Sequence, residues 1–304
     1  MKTLQELTLL DKFLFDEVVE DSEAYEALLR IILGEEELNL LTEAQTEKEF
    51  RTAPWLRSIR VDVFAMDDKS NIYNTEMQKG WRGDLIKRTR YYQALIDSSL
   101  LAPGEIDFNS IKNTTIIMIM PFDLFGLGKY VYTFESVCME HPELKLEDGA
   151  KRIFINTHGT NVSEVSPEFI ALMKFIEYNE DDENNNIMAS SNLEKIKARV
   201  ARVKASEEVG VKYMQKWEEE ALIRHEALEQ GREEGREQGR EEGREEGLEQ
   251  GREEGREEGL EQGREEKLVE CIKSLINKLG ITAEEAMSNL GIASANYDKY
   301  LKML

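Results

Sequence analysis

The chain has 304 residues, 40% of them hydrophobic, enough for one substantial domain with accessory segments and a real core. A net charge of -23 argues against broad electrostatic attraction to nucleic acid, and the only two cysteines, Cys138 and Cys271, lie far apart without metal-ligand spacing, so neither a disulfide framework nor a zinc site is implied. No apolar run approaches the ~18 residues of a membrane helix and Met1-Lys2-Thr3-Leu4-Gln5-Glu6 lacks the apolar region of a signal peptide, which makes the cytoplasm the expected compartment.

Residues 11 to 33 carry Leu14, Val18, Ala27, Leu28, Ile31 and Ile32 near helical spacing and predict a helix or a helical pair, with Asp11 as N-cap and Gly34 as stop. Asp16 and Glu17 in this stretch read as ordinary surface acids. Leu38 to Phe50 is ambiguous between strand and loop, and Pro54 before Trp55 marks a break.

Two strand-like runs follow, Ile59 to Met66 and Ile72 to Lys79, around the polar loop Asp67-Asp68-Lys69-Ser70-Asn71. Strand alternation puts Arg60, Asp62, Phe64 and Met66 on one face, and Asn74, Glu76 and Gln78 together on one face of the second run. A hairpin centred on Lys69 then sets Phe64 opposite Asn74, Asp62 opposite Glu76 and Arg60 opposite Gln78. Like charges so placed, with Cβ atoms roughly 5 Å apart, are destabilising unless something intervenes. Hard oxygen donors without nearby His or Cys suit Mg2+ or Mn2+. The alternative is a half-exposed hairpin with two solvated acids, and a register slip of one residue would separate the pair.

A helix is predicted from Asp84 to Ser98, with Leu85, Thr89, Tyr92 and Ile96 facing inward and Lys87, Arg90, Tyr91 and Gln93 elsewhere. From Arg51 to Gln93 there are nine basic residues against five acids, a locally basic segment in an acidic chain. Arg60, Arg82, Lys87, Arg88 and Arg90 are the candidate phosphate contacts, since arginine matches phosphate in a bidentate way; a solvated helix face is the other reading. Thr114 to Met120 predicts a buried strand, Tyr130 to Cys138 and Lys151 to Asn156 two more, and Ser166-Pro167 opens a helix to Tyr178. This order fits an α/β core with a mixed sheet flanked by helices.

Glu180 to Asn186 reads as a linker, and Leu193 to Glu229 as a charged helical arm leaving the core. Glycine then recurs every fourth residue from Gly231 to Gly263, mostly as Gly-Arg-Glu-Glu, and nine glycines inside a helix would cost on the order of 9 kcal/mol. The repeat reads as a solvated, partly helical spacer; a glycine stripe that lets two helices approach is the alternative. Lys267 to Leu304 regains apolar periodicity, with Gly280 as a stop and Thr282 and Glu285 as a capping box, and reads as a small packing or self-association module rather than a DNA-reading one. The expected organisation is an α/β core domain over 1–180, an arm over 181–230, a spacer over 231–266 and a helical module over 267–304.

Arg60-Val61-Asp62-Val63 and Tyr73-Asn74-Thr75-Glu76-Met77-Gln78, with the later Arg90-Tyr91-Tyr92-Gln93 and Pro121-Phe122-Asp123-Leu124-Phe125, resemble the recombination-promoting nucleases, also described as transposases of the PD-(D/E)XK superfamily. The resemblance covers about residues 5 to 180. It implies a restriction-endonuclease-like α/β fold and a divalent-metal-dependent DNA endonuclease in which Asp62 and Glu76 hold Mg2+ or Mn2+. Val61 stands where the pattern has proline, and Gln78 where it has lysine. Gln78 would orient water without carrying charge, and Lys87 or Arg88 from the following helix would supply the missing cation. In this superfamily a first-helix acid can supplement the metal site, a role that the resemblance leaves open to Asp16 or Glu17. The other class of function considered is a catalytically silent interaction protein of the same fold. In both, the C-terminal helical region is expected to make a homo-oligomer.

Overall fold

The computed structural model describes residues 2–41, 44–50, 58–101, 104–178 and 190–304. The linker expected at Glu180 to Asn186 and the break at Pro54-Trp55 lie outside them, as do Arg51 and Arg57. The chain divides into two compact units, Met1–Trp217 and Glu218–Leu304.

The first unit opens on two helices, α1 (Lys12–Val19) and α2 (Ser22–Leu33). Asp21 caps α2 by accepting the N–H of Ala24, and Gly34 ends it at φ 67°, a left-handed conformation that a residue with a Cβ adopts only at a cost. Among the described residues six strands follow: β1 (Gln45–Phe50), β2 (Ile59–Met66), β3 (Ile72–Met77), β4 (Thr114–Met120), β5 (Val131–Phe134) and β6 (Ala150–Asn156). They form one sheet in the order β1-β2-β3-β4-β6-β5. The β3-β4-β6 centre is parallel, and the outer pairs are antiparallel. Parallel neighbours need a crossover: α3 (Leu85–Leu100) joins β3 to β4. β5 is shorter than Tyr130 to Cys138; beyond it Val137 makes only an isolated bridge with Lys145.

Helices cover both faces. On one, α1, α2 and α4 (Pro167–Tyr178) meet Val63, Ala65, Tyr73, Met77, Ile117, Ile119, Ile153 and Ile155 in the main core. On the other, Tyr92, Leu95 and Ile96 of α3 pack on Ile59, Val61, Ile72 and Ile116. The result is the mixed α/β sheet flanked by helices that the sequence order predicts.

One segment departs from that reading. The stretch expected to leave the core as an arm begins with α5 (Ser191–Ala205), whose Leu193, Ile196, Val200 and Val203 are buried in the main core. Their helical spacing makes one continuous apolar stripe, and α1 and α2 are what it covers.

After a break at Ser206, α6 runs Glu207–Leu279 and takes in the glycine repeat. In the second unit its final turns, with Val269 and Ile272, pack on α7 (Ala283–Asn289) and α8 (Tyr297–Leu301) through Ala286, Met287 and Tyr300. Thr282 and Glu285 form the capping box. Among the described residues no helix is long and apolar enough to cross a membrane.

Candidate functional site

The hairpin of β2 and β3 pairs Phe64 with Asn74 and Val63 with Thr75, the expected register. Beyond Val63 the strands part, and the acids fill the gap. The N–H of Asp62 donates to Glu76 Oε1 at 2.8 Å, and the N–H of Met77 donates to Asp62 Oδ2 at 3.1 Å. Each carboxylate thus satisfies a backbone donor of the opposite strand that a ladder would otherwise have used. Asp62 is 7% and Glu76 2% exposed, so the alternative of two solvated acids does not hold.

β2 does not keep the single alternation expected of it. Ile59 and Val61 join the same apolar cluster as Phe64 and Met66, while Val63 and Ala65 join the opposite one. The faces therefore switch at Asp62. The switch lies opposite β1, where the pairs Thr46 with Val63 and Lys48 with Val61 bracket Glu47 against Asp62, and Glu47 has φ 51°. A left-handed residue with a Cβ costs about 1–2 kcal/mol, and here it turns the strand beside the acid pair. Glu47 meets three cations at the edge of the site: Lys216 at 3.5 Å, Arg60 at 3.7 Å and Lys12 at 3.9 Å.

α1 reaches the site from one side. Nearly every residue of this short helix is buried, Asp16 and Glu17 included, which corrects their reading as surface acids. The Lys12 ammonium lies 3.3 Å from Asp16 Oδ2 and donates to Asp62 Oδ1. Burial, opposed by Lys12 and reinforced by Asp62, pushes the Asp16 carboxyl up to about 7. Burial works against the charge on Lys12 as well, yet Asp62 and Asp16 outweigh it and hold that ammonium above the ordinary lysine value. Glu17 bonds to Lys212 instead.

α3 reaches the site from the other side. Arg88 donates to Gln78 Oε1 at 3.1 Å, to Glu76 Oε2 at 3.3 Å and to the Tyr92 hydroxyl at 2.5 Å. Burial first, and the Asp62 carboxylate after it, hold the Glu76 carboxyl well above the ordinary glutamate range. The amide of Gln78 donates in turn to the Gly80 carbonyl. Lys79 bonds to Asp11.

An open groove of about 420 Å3 adjoins these residues, lined by Arg60, Arg82, Lys87, Arg88, Tyr91 and Tyr92 among others. Four of the five candidate phosphate contacts are thereby brought together. Arg82 is paired with Asp84 at 3.0 Å, and Arg90 is exposed on α3 outside the groove lining.

The donor set fits a hard divalent ion. Among the described residues no three His, Cys, Asp or Glu side chains converge into a metal centre of their own. Mg2+, however, is commonly held by one or two carboxylates together with water and substrate phosphate, and a buried pair whose carboxyl groups repel each other is what such an ion neutralises. Asp62 and Glu76 would hold it. Lys12 and Glu47 were missed in the sequence; Lys12 had one signal, an ammonium and an acid at i and i+4 on a helix whose only other charged residue is Glu17.

A protein-family model described as PD-(D/E)XK nuclease family transposase matches residues 12–224. No curated protein and no solved structure matches the chain.

Proposed function

The chain belongs to the PD-(D/E)XK nuclease family transposases, and from that membership we propose that it is a divalent-metal-dependent DNA endonuclease hydrolysing phosphodiester bonds. The observation that carries this reading is the buried pair Asp62 and Glu76, held by the N–H groups of Met77 and Asp62, which Arg88 joins to a basic groove. Asp62 and Glu76 would hold Mg2+ or Mn2+, which would supply Lewis-acid polarisation of a phosphate oxygen and a lowered pKa for water.

The chain's own residues do the rest. Asp62 and Glu76 are kept in register by the N–H groups of Met77 and Asp62. Gln78 is held by Arg88 and orients water through its amide. Arg60, Lys87 and Arg88, with Arg82, hold the DNA backbone along the groove, where charge-assisted bonds position phosphate without reading sequence. The local basic surface offsets a net charge of -23 that by itself repels DNA.

Two further elements belong to this proposal. Its cytoplasmic setting is supported by two free cysteines, Cys138 and Cys271. Homo-oligomerisation through the region beyond α5 suits an enzyme that cuts both DNA strands. The test of the activity is nicking of supercoiled plasmid with and without Mg2+: conversion that needs the metal supports it, and an inert folded protein at every divalent ion tried rejects it.

A further inference from the structure

Resting on Asp62 and Glu76 as the metal-holding acids, we propose that the Lys12 ammonium is the resident counter-ion of this cluster, that a divalent ion displaces it from Asp62, and that once displaced it supplies the positive charge toward phosphate that Gln78 lacks.

The argument begins with which oxygens are committed. Asp62 Oδ2 accepts the Met77 N–H and Glu76 Oε1 accepts the Asp62 N–H, so Asp62 Oδ1 and Glu76 Oε2 are the oxygens left for a cation. Lys12 takes the first and Arg88 the second. The two occupants differ in freedom. Arg88 is also bonded to Gln78 and Tyr92 and lies against the Tyr92 ring. Lys12 sits on a flexible four-carbon stem whose side chain is 42% exposed, with both of its close partners acidic.

Lys12 also has somewhere to go. Glu47 lies 3.9 Å from its ammonium and 3.7 Å from the guanidinium of Arg60, which lines the groove. Movement from Asp62 toward Glu47 keeps an acidic partner and carries the charge toward the groove. Of the other nearby cations, Lys79 is held by Asp11, and Lys216 and Arg60 already share Glu47. Gln78 is neutral and held by Arg88. The cation that serves the reaction thus comes from α1 rather than from the hairpin.

The test uses the full chain. Isothermal titration with Mn2+ should show Lys12→Met binding the ion about three- to tenfold more tightly than wild type, because a competing charge is gone. At saturating Mn2+ the same variant should cleave on the order of tenfold or more slowly, and Lys12→Met with Gln78→Lys should recover most of that loss, since the charge returns from β3. Lys12→Gln keeps a donor without charge and should behave likewise, so the outcome does not depend on one variant folding. Unchanged or weaker Mn2+ binding, wild-type cleavage, or a double variant no faster than the single one each overturn the proposal. Loss of Mn2+ binding in Asp62→Asn beside unchanged binding in the Lys12 variants rejects it alone, whereas unchanged binding in all of them rejects the reading of the site beneath it.

Discussion

The backbone N–H of Asp62 donates to Oε1 of Glu76 at 2.8 Å, across the point where β2 and β3 separate. One acid therefore positions the other through the main chain, and the carboxylate pair survives burial because part of its hydrogen-bonding capacity is met from within the sheet. What is left unmet is charge, and the predictions below follow from how the surrounding side chains supply it.

Gln78 bridges Arg88 and the Gly80 carbonyl, so its amide is already oriented. Substitution by Ala should slow cleavage roughly 100-fold, the lower end of the range for a single positioned polar group, and change DNA affinity little. Single-turnover cleavage beside fluorescence anisotropy separates the two. Cleavage at the wild-type rate would make Gln78 structural.

The metal-free protein should lose stability as pH rises. The Asp16 carboxyl titrates near 7 in the fold against an ordinary value of 3.8, so between these values the folded state binds more protons than the unfolded one. Stability contributed by the protonated acid is complete below about 4 and disappears as pH climbs through about 7; Glu76 acts in the same direction. For Asp16 the difference is at most roughly 4 kcal/mol at 1.36 kcal/mol per pH unit. Melting temperature measured in chelator from pH 4.5 to 8 should fall less steeply in Asp16→Asn than in wild type. Parallel curves would rule this out.

Lys87 and Arg60 line the groove, whereas Arg90 does not. Lys87→Ala should weaken binding to all DNA sequences alike and reduce the slope of log affinity against log salt by about 1. Arg90→Ala should leave that slope unchanged. Equal effects of the two would place the DNA on the outer face of α3.

The legibility of the chain divides along a physical line. Hairpin register, the buried strand Thr114–Met120 and Pro167 at the start of α4 are local, written in alternation, apolar runs and backbone chemistry, and were readable. So was the family, from Asp62 and Glu76-Met77-Gln78 in their order. Lys12 and Glu47 were not, because their roles arise from contacts with Asp62 and Arg60 made only once α1 and β1 fold against the hairpin. Asp16 looked like a surface acid for the same reason: a polar residue on an amphipathic helix is assigned outward unless the sheet that covers it is known. The arm at α5 misled in the opposite sense, since its charged residues dominated the sequence while four apolar ones set the packing.

The nine repeat glycines have open space where a Cβ would stand, so among the described residues nothing packs against them. If α6 is solitary there, Gly239→Ala, Gly243→Ala and Gly247→Ala should each stabilise the helix by up to about 1 kcal/mol, seen as a higher melting temperature by circular dichroism. Destabilisation instead would indicate helices meeting across the glycine faces. The proposed oligomer is checked by light scattering on the full chain and on a chain ending at Trp217, which keeps α5 in the core. A monomeric full chain removes the idea, and an equally oligomeric shortened chain moves the interface into the first unit.

The most direct measurement is plasmid cleavage by Asp62→Asn and Glu76→Gln at saturating Mg2+ or Mn2+, with folding confirmed by circular dichroism. Each variant removes a charge of the acid pair while keeping its shape, so both should lose metal-stimulated cleavage by on the order of 100-fold or more, and both should be at least as stable as wild type in chelator at pH 8 because the repulsion between the two acids has gone. Wild-type cleavage by either folded variant would contradict the assignment of this pair as the catalytic centre.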